Sequence, residues 1–220
     1  MSFSLSHGKE LDVGQVGVSQ DQLPPIGTEP IDLKAWFGPE GTHRPLELEI
    51  GSGKGTFLVR QAAQTPLVNY IGLEYAKAFW RYAADRCRRH GLGNVRIVHV
   101  EAALFLRNYV PNGCFRQAHV YFPDPWPKKR HHKRRLIQEP LLRLLREKLE
   151  PNGYVRIATD HAGYYQWMLE HAEKVAGLYE RLPFETPISA EHGELVGTNF
   201  ERKYRQQGRE FFALTLRKIT

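Results

Sequence analysis

The sequence predicts an α/β fold: a mostly parallel sheet with helices on both faces. Short apolar runs of strand length alternate with amphipathic stretches of helix length from Leu46 onward, the pattern of successive β-α-β units. The first run ends in Glu49-Ile50-Gly51-Ser52-Gly53-Lys54-Gly55, a glycine-rich turn that opens a helix, as in folds that bind ligands at the carboxyl ends of parallel strands. A chain of 220 residues, 41% hydrophobic, can fill one substantial core but not two of ordinary size.

Residues 1–44 carry Pro24, Pro25, Pro30 and Pro39 with weak periodicity. They read as an N-terminal arm with little regular structure, which Leu33, Trp36 and Phe37 can anchor to a body spanning 45–220. In that body 46–50 reads as a strand, 55–64 as a short helix and 68–73 as a second strand. The stretch 76–90 sets Phe79, Tyr82, Ala83 and Cys87 on one helical face. Gly91 caps it, and Arg88 and Arg89 complement its dipole. Strands follow at 95–100 and 118–122. A helix over 139–149 has Pro140 in its first turn and a stripe of Leu141, Leu144, Leu145 and Leu149. A strand at 154–159, a helix at 163–176 and a late strand at 211–216 complete the reading.

The net charge of +7 permits a polyanionic partner without requiring one. Cys87 and Cys114 stand far apart with no Cys-x-x-Cys, which excludes a disulfide framework and a zinc ribbon. No apolar run reaches the length of a membrane span, and residues 1–14 lack a basic segment followed by an apolar one. The expectation is a cytoplasmic protein without membrane contact. The sequence carries no signal for oligomeric state.

Three ligand classes compete for the glycine loop. The dinucleotide fingerprint wants a third glycine where Thr56 stands, and the phosphate loop wants its first glycine where Leu48 stands. The E-x-G-x-G loop of class I methyltransferases fits. Glu49 supports it, because a central parallel strand is apolar on both faces and an acid at its end breaks that rule. S-adenosylmethionine offers a sulfonium and an ammonium to such an acid. Gly51, Ser52 and Gly53 would bring backbone N–H groups to the ligand. The plainer alternative is a structural turn with a solvated acid.

Glu74 ends the second strand, where an acid binds ribose hydroxyls in this architecture; an acid at a helix start is the competing explanation. Glu101 and Ala102 follow the third strand. In related methyltransferases an acid or amide there meets the adenine amino group, although a solvated edge acid has the same signature.

The most informative stretch is Phe122-Pro123-Asp124-Pro125-Trp126-Pro127 after the fourth strand. Prolines on both sides remove backbone freedom around Asp124, which suits a rigidly aimed carboxylate; a rigid surface turn with Trp126 in the core is the alternative. Lys128, Lys129, Arg130, His131, His132, Lys133, Arg134 and Arg135 follow directly. Such a run is either a solvated face or a grip on phosphates. His131 and His132 belong with it rather than with a metal, since no third ligand stands at metal-site spacing.

With these segments in place the sequence resembles the bacterial tRNA (guanine-N7)-methyltransferase family. The resemblance runs from about Leu46 to the C-terminus. It rests on Leu48-Glu49-Ile50-Gly51, Gly72-Leu73-Glu74, Phe122-Pro123-Asp124-Pro125-Trp126 with its basic follower, Ala158-Thr159-Asp160 and Thr198-Asn199-Phe200-Glu201. It implies a Rossmann-like class I methyltransferase fold with a mostly parallel seven-stranded sheet. It also implies methylation of N7 of a tRNA guanine, in the variable loop, from S-adenosylmethionine. Glu49, Glu74, Glu101 and Asp124 would line the donor site, with Asp124 also catalytic. Lys128, Asp160, Thr198, Asn199, Phe200 and Glu201 would contact tRNA or the base, and Arg130, His131, His132, Lys133, Arg134 and Arg135 the RNA. Glu101 stands where the family usually has Asp, and Asn199 where it usually has Lys. Taken without the resemblance, Asp160 reads as a helix cap and 198–201 as a loop.

N7 of guanine has an in-plane lone pair and no proton, so its methylation needs alignment, desolvation and electrostatics rather than a general base. On this reading Asp124 orients the guanine and favours its developing positive charge. Glu201 or Asp160 accepts from N1–H and the amino group, and Trp126 stacks on an extruded base. Three alternatives stay open: a methyltransferase for exocyclic amines, whose motif has a second proline in place of Trp126; a phosphate-loop kinase; and a non-catalytic RNA-binding module using 128–135.

Overall fold

A computed structural model describes residues 10–220. The described residues divide into two compact units, one running to Tyr109 and the other from Val110. Each contributes four strands among the described residues, so there are eight strands against the seven expected.

In the first unit β1 (Gly17–Val18), β2 (Leu46–Ile50), β3 (Asn69–Glu74) and β4 (Val95–His99) lie in the order β1-β4-β3-β2, and every pairing is parallel. All five residues of β2 are buried, as a strand covered on both faces must be. The register pairs Ile50 with Leu73 and Glu74 with His99, so the glycine loop, Glu74 and the Glu101 turn leave from one carboxyl edge. α2 (Thr56–Gln64) and α3 (Lys77–Arg89) follow β2 and β3. The buried face of α3 is Trp80, Ala83, Ala84, Asp85 and Cys87. It is turned by about one residue from the expected face, leaving Phe79 and Tyr82 half-buried. The Trp80 indole donates to the Ile97 carbonyl at 2.8 Å, and that bond fixes the rotation. Gly91 takes φ 67° and ends the helix as expected. α4 (Ala102–Asn108) was not evident from periodicity.

The N-terminal arm holds more structure than its prolines indicate. β1 pairs with β4, 3-10 turns cover Gln20–Gln22 and Leu33–Phe37, and α1 (Gly38–Gly41) follows. Leu33 is 1% exposed. Arg96 donates to the Trp36 carbonyl at 2.6 Å and lies over the Phe37 ring.

In the second unit β5 (Phe115–Tyr121), β6 (Leu149–Thr159), β7 (Tyr179–Leu182) and β8 (Phe212–Lys218) lie in the order β5-β6-β8-β7. β5 and β6 are parallel, and β8 runs antiparallel to both β6 and β7. α5 (Glu139–Lys148) buries Leu141, Leu142, Leu144 and Leu145, α6 (Ala162–Glu173) follows β6, and α7 (Asn199–Arg205) precedes β8. Because β6 and β8 are antiparallel with Thr159 opposite Phe212, the end of β6 and the entry to β8 share one edge. Cys87 and Cys114 are buried free thiols. Among the described residues no helix is long and apolar enough to cross a membrane.

Candidate active site

The glycine loop and the three acids near it belong to the first unit. Gly51, Gly53 and Gly55 have φ of 81°, 52° and 66°, a region that side chains resist. The loop folds onto the end of β3: Gly51 and Ser52 donate to the Leu73 carbonyl at 2.8 and 3.1 Å. A Cβ on Gly51 or Gly53 would meet no atom within 4 Å, whereas one on Gly55 would press on Ala83 of α3 at 3.0 Å. The first two glycines thus leave open space above the loop, and the third permits close helix packing. Gly72, which the sequence offered only as part of a motif, has a physical cause. A Cβ there would stand 2.5 Å from Ser52 Oγ and 2.7 Å from Leu58 Cδ1.

Glu49 is 4% exposed, and its Oε2 is buried without a hydrogen-bond partner. Burial pushes its carboxyl up to about 7; the Ser52 hydroxyl opposes the rise and the charge of Glu74 adds to it. A buried acceptor without a donor is costly, and a cation-bearing ligand removes that cost. Glu74 accepts from Gly53 N at 2.7 Å and from Ala76 N at 2.8 Å. It therefore does both jobs its position allowed: it holds the glycine loop and sits at the entry to α3. Each oxygen keeps a lone pair for a hydroxyl. Glu101 accepts from Ala103 N and Leu104 N at 2.9 and 2.7 Å, capping α4, and Ala102 is the first residue of that helix.

The Pro-Asp-Pro-Trp segment and the basic run belong to the second unit. Phe122 N donates to the Ala158 carbonyl at 2.8 Å, after which the chain leaves the sheet. Phe122 and Trp126 have φ of 54° and 41°. Two non-glycine residues in the left-handed region thus bracket Asp124, and strain of this kind collects where a loop must hold one shape for function. Asp124 is exposed, and among the described residues its side chain makes no hydrogen bond or ion pair. Arg135 is what holds the loop: it is 3% exposed, donates to the Pro125 carbonyl at 2.9 Å, and lies over Tyr164 and Trp167 at 5.0 and 5.2 Å. Burial lowers its pKa, with Tyr164 and Glu170 opposing. Sequence grouped Arg135 with the exposed cations; the fold makes it scaffold.

The rest of the run forms a 3-10 helix, Lys129–Arg134. Lys128, Arg130 and Lys133 are exposed, with side chains that have no hydrogen-bond or ion-pair partner among the described residues. Arg134 covers the Trp126 ring at 5.0 Å, and His131 meets that ring edge-on at 5.8 Å. Trp126 is therefore half-buried against its own basic helix rather than in the core. His132 packs edge-on against Trp167.

Asp160 is not a helix cap; His161 caps α6, accepting from Tyr164 N at 3.1 Å. Asp160 pairs instead with Arg209. Thr198 is the N-cap of α7, accepting from Glu201 N at 3.1 Å, so 198–201 opens a helix and is not a plain loop. Glu201 is fully buried. Burial works against its charge, but the N–H groups of Leu195, Val196 and Gly197 and the guanidinium of Arg205 outweigh it, and its pKa is lowered. Those bonds commit its carboxylate to the turn before α7. Asn199 and Phe200 remain exposed on that helix.

The chain matches the methyltransferase family Methyltransf_4 over residues 43–214. It is 39% identical, over 90% of its length, to the tRNA (guanine-N(7)-)-methyltransferase of Alkalilimnicola ehrlichii, covering 81% of that protein. It is 40% identical, over 86% of its length, to the one of Thermus thermophilus, of which it spans 58%. Among solved structures it is similar to the antibiotic-resistance methyltransferase Kmr, with a TM-score of 0.55 and 17% identity over 85% of this chain and 93% of that one, a likeness of fold and not of substrate. The fold is the Rossmann-like one of class I methyltransferases. With a glycine loop and three acids on one strand edge, a bracketed aspartate beside free cations on another, and this level of identity to its relatives, the chain belongs to the tRNA (guanine-N7)-methyltransferase family.

Proposed function

We propose that the protein transfers a methyl group from S-adenosylmethionine to N7 of a guanine in the variable loop of tRNA, acting in the cytoplasm. The observation that carries the reading is Asp124: an exposed carboxylate without a partner, bracketed by two strained residues and followed by free cations, in a chain of this family.

The donor fits the residues present. The unpartnered Oε2 of Glu49 suits a cationic group, Glu74 suits ribose hydroxyls, Glu101 and Ala102 suit the adenine edge, and the space over Gly51 and Gly53 admits a ligand close to backbone. When bound, S-adenosylmethionine supplies an electrophilic methyl on a sulfonium. Asp124 orients the guanine and offsets the positive charge that N7 acquires on methylation. No residue removes a proton, because N7 carries none. Lys128, Arg130 and Lys133 hold phosphates, and the half-exposed Trp126 gives the same ledge an aromatic surface.

Incubation with labelled S-adenosylmethionine and unmodified tRNA, followed by nucleoside analysis, tests the reading. The expected product is 7-methylguanosine, and Asp124→Ala is expected to lower turnover at saturating substrates about 100-fold or more. Label on an exocyclic amine would favour the amino-methyltransferase reading instead, and near wild-type turnover of Asp124→Ala would remove Asp124 from the mechanism.

A further inference from the structure

We infer that Arg209 is a positioning residue for the reaction, holding Asp160 in the orientation that receives the target base; this rests on the reading that Asp160 meets guanine. The Asp160 side chain is only 8% exposed, and among the described residues its sole hydrogen-bond and ion-pair partner is the Arg209 guanidinium. A carboxylate so little exposed takes its direction from its partner. The topology provides that partner from afar: Thr159 faces Phe212 across β6 and β8, which brings the residues entering β8 to the turn after β6.

Arg209 is itself fixed. Its guanidinium carbon lies 3.8 Å from the centroid of Tyr204, Tyr204 lies 4.5 Å from Phe200, and Phe200 lies 4.9 Å from Phe122. One ladder of rings therefore joins Asp160 to α7 and to the segment that carries Asp124. Accepting both N1–H and an amino hydrogen requires a carboxylate with a defined plane, and a guanidinium on an aromatic face defines one. Arg209 remains 45% exposed and lines a cleft of about 410 Å³ with Arg205, Phe211 and Phe212, of the size small ligands occupy. Lysine would keep the charge but lose both the fork and the flat face.

The test is steady-state methylation of tRNA by Arg209→Ala, Arg209→Lys, Asp160→Asn and the Asp160→Asn/Arg209→Ala double variant, with S-adenosylmethionine affinity measured directly on each. Arg209→Ala is expected to raise the KM for tRNA about tenfold with kcat within about twofold, at unchanged donor affinity. Arg209→Lys should fall between it and wild type. The double variant should be no worse than Asp160→Asn alone, because the two residues act as one unit. A wild-type KM for Arg209→Ala, costs that add in full, or an inert Asp160→Asn would each overturn the inference. The nucleoside product separates the two levels: if wild type makes something other than 7-methylguanosine, the functional reading itself fails. If 7-methylguanosine forms and the Arg209 variants keep wild-type KM, only this role for Arg209 fails.

Discussion

Phe122 and Phe200 stack with ring centroids 4.9 Å apart and planes 28° from parallel. The contact ties the residue that precedes Pro123-Asp124 to the first turn of α7, far away in sequence. Phe211 meets Phe122 edge-on at 5.6 Å and completes a small aromatic cluster. The strained backbone at Phe122 is thus held from its side-chain end as well as by its bond to Ala158.

Removing one ring separates stability from function. An aromatic pair contributes about 0.5–1.5 kcal/mol beyond area burial, so Phe200→Ala should lower the unfolding midpoint by only about 2–4 °C in a chain this long. The loss in kcat/KM for tRNA should be larger, about tenfold or more, since on the proposed reading both partners belong to segments that meet the substrate. A thermal shift of the expected size with unchanged kcat/KM would make the stack purely structural.

On the proposed reading, Glu49 gives donor binding a pH dependence whose sign is fixed. Its carboxyl is pushed up to about 7 by burial, so in the free protein it is protonated below that value. A cationic ligand favours the charged form, and binding must release the proton at low pH. Affinity for S-adenosylmethionine should therefore rise roughly tenfold per pH unit on approaching pH 7 and level off above it. The same shift makes the free protein lose stability as pH rises from the ordinary value of 4.5 through about 7, a loss that bound donor offsets. Titration calorimetry tests the affinity and thermal unfolding tests the stability across this range, and Glu49→Gln should flatten the affinity profile.

Gly72 explains why a strand interior dispenses with a side chain. Gly72→Ala would drive a Cβ into Ser52 Oγ at 2.5 Å and Leu58 Cδ1 at 2.7 Å. Overpacking of this kind costs about 1–3 kcal/mol. Because Ser52 belongs to the glycine loop, donor affinity should fall together with the melting temperature. Gly177→Ala, where a Cβ meets nothing within 4 Å, is the control and should change neither. Equal behaviour of the two variants would remove the steric account.

Sequence made legible what is local. The strands around Leu48, Ile71 and Ile97 are apolar runs ended by glycine or acid, and the α5 stripe of Leu141, Leu144 and Leu145 has helical spacing; all of these are buried. What escaped was set by distant partners. The helix α7 has few buried residues, and its order comes from the Thr198 cap and the buried Glu201, which periodicity does not register. Arg209 carries no signal until the antiparallel β8 brings it to Asp160, 49 residues earlier. The rotation of α3 depends on the Trp80 indole finding a carbonyl on β4. Arg135 has the same chemistry as its neighbours, and only its 3% exposure separates it from them.

That separation predicts two kinds of loss within one basic run. Lys128, Arg130 and Lys133 point free charges at solvent, and each that meets a phosphate should release about one counterion on binding. Single alanine variants should weaken tRNA binding and reduce the slope of log affinity against log salt by about 0.7–0.9, with no change in melting temperature. Arg135→Ala should do the reverse. It removes the donors to Pro125 and Gly163 and the cation over Tyr164 and Trp167. The melting temperature should fall by several degrees, as expected for loss of a buried network, while the salt slope stays at its wild-type value. The turn bearing Asp124 should then loosen, so kcat should drop for Arg135→Ala but not for the three exposed variants. If Arg135→Ala instead lowers the salt slope and leaves both kcat and stability intact, the guanidinium belongs to the RNA and not to the loop.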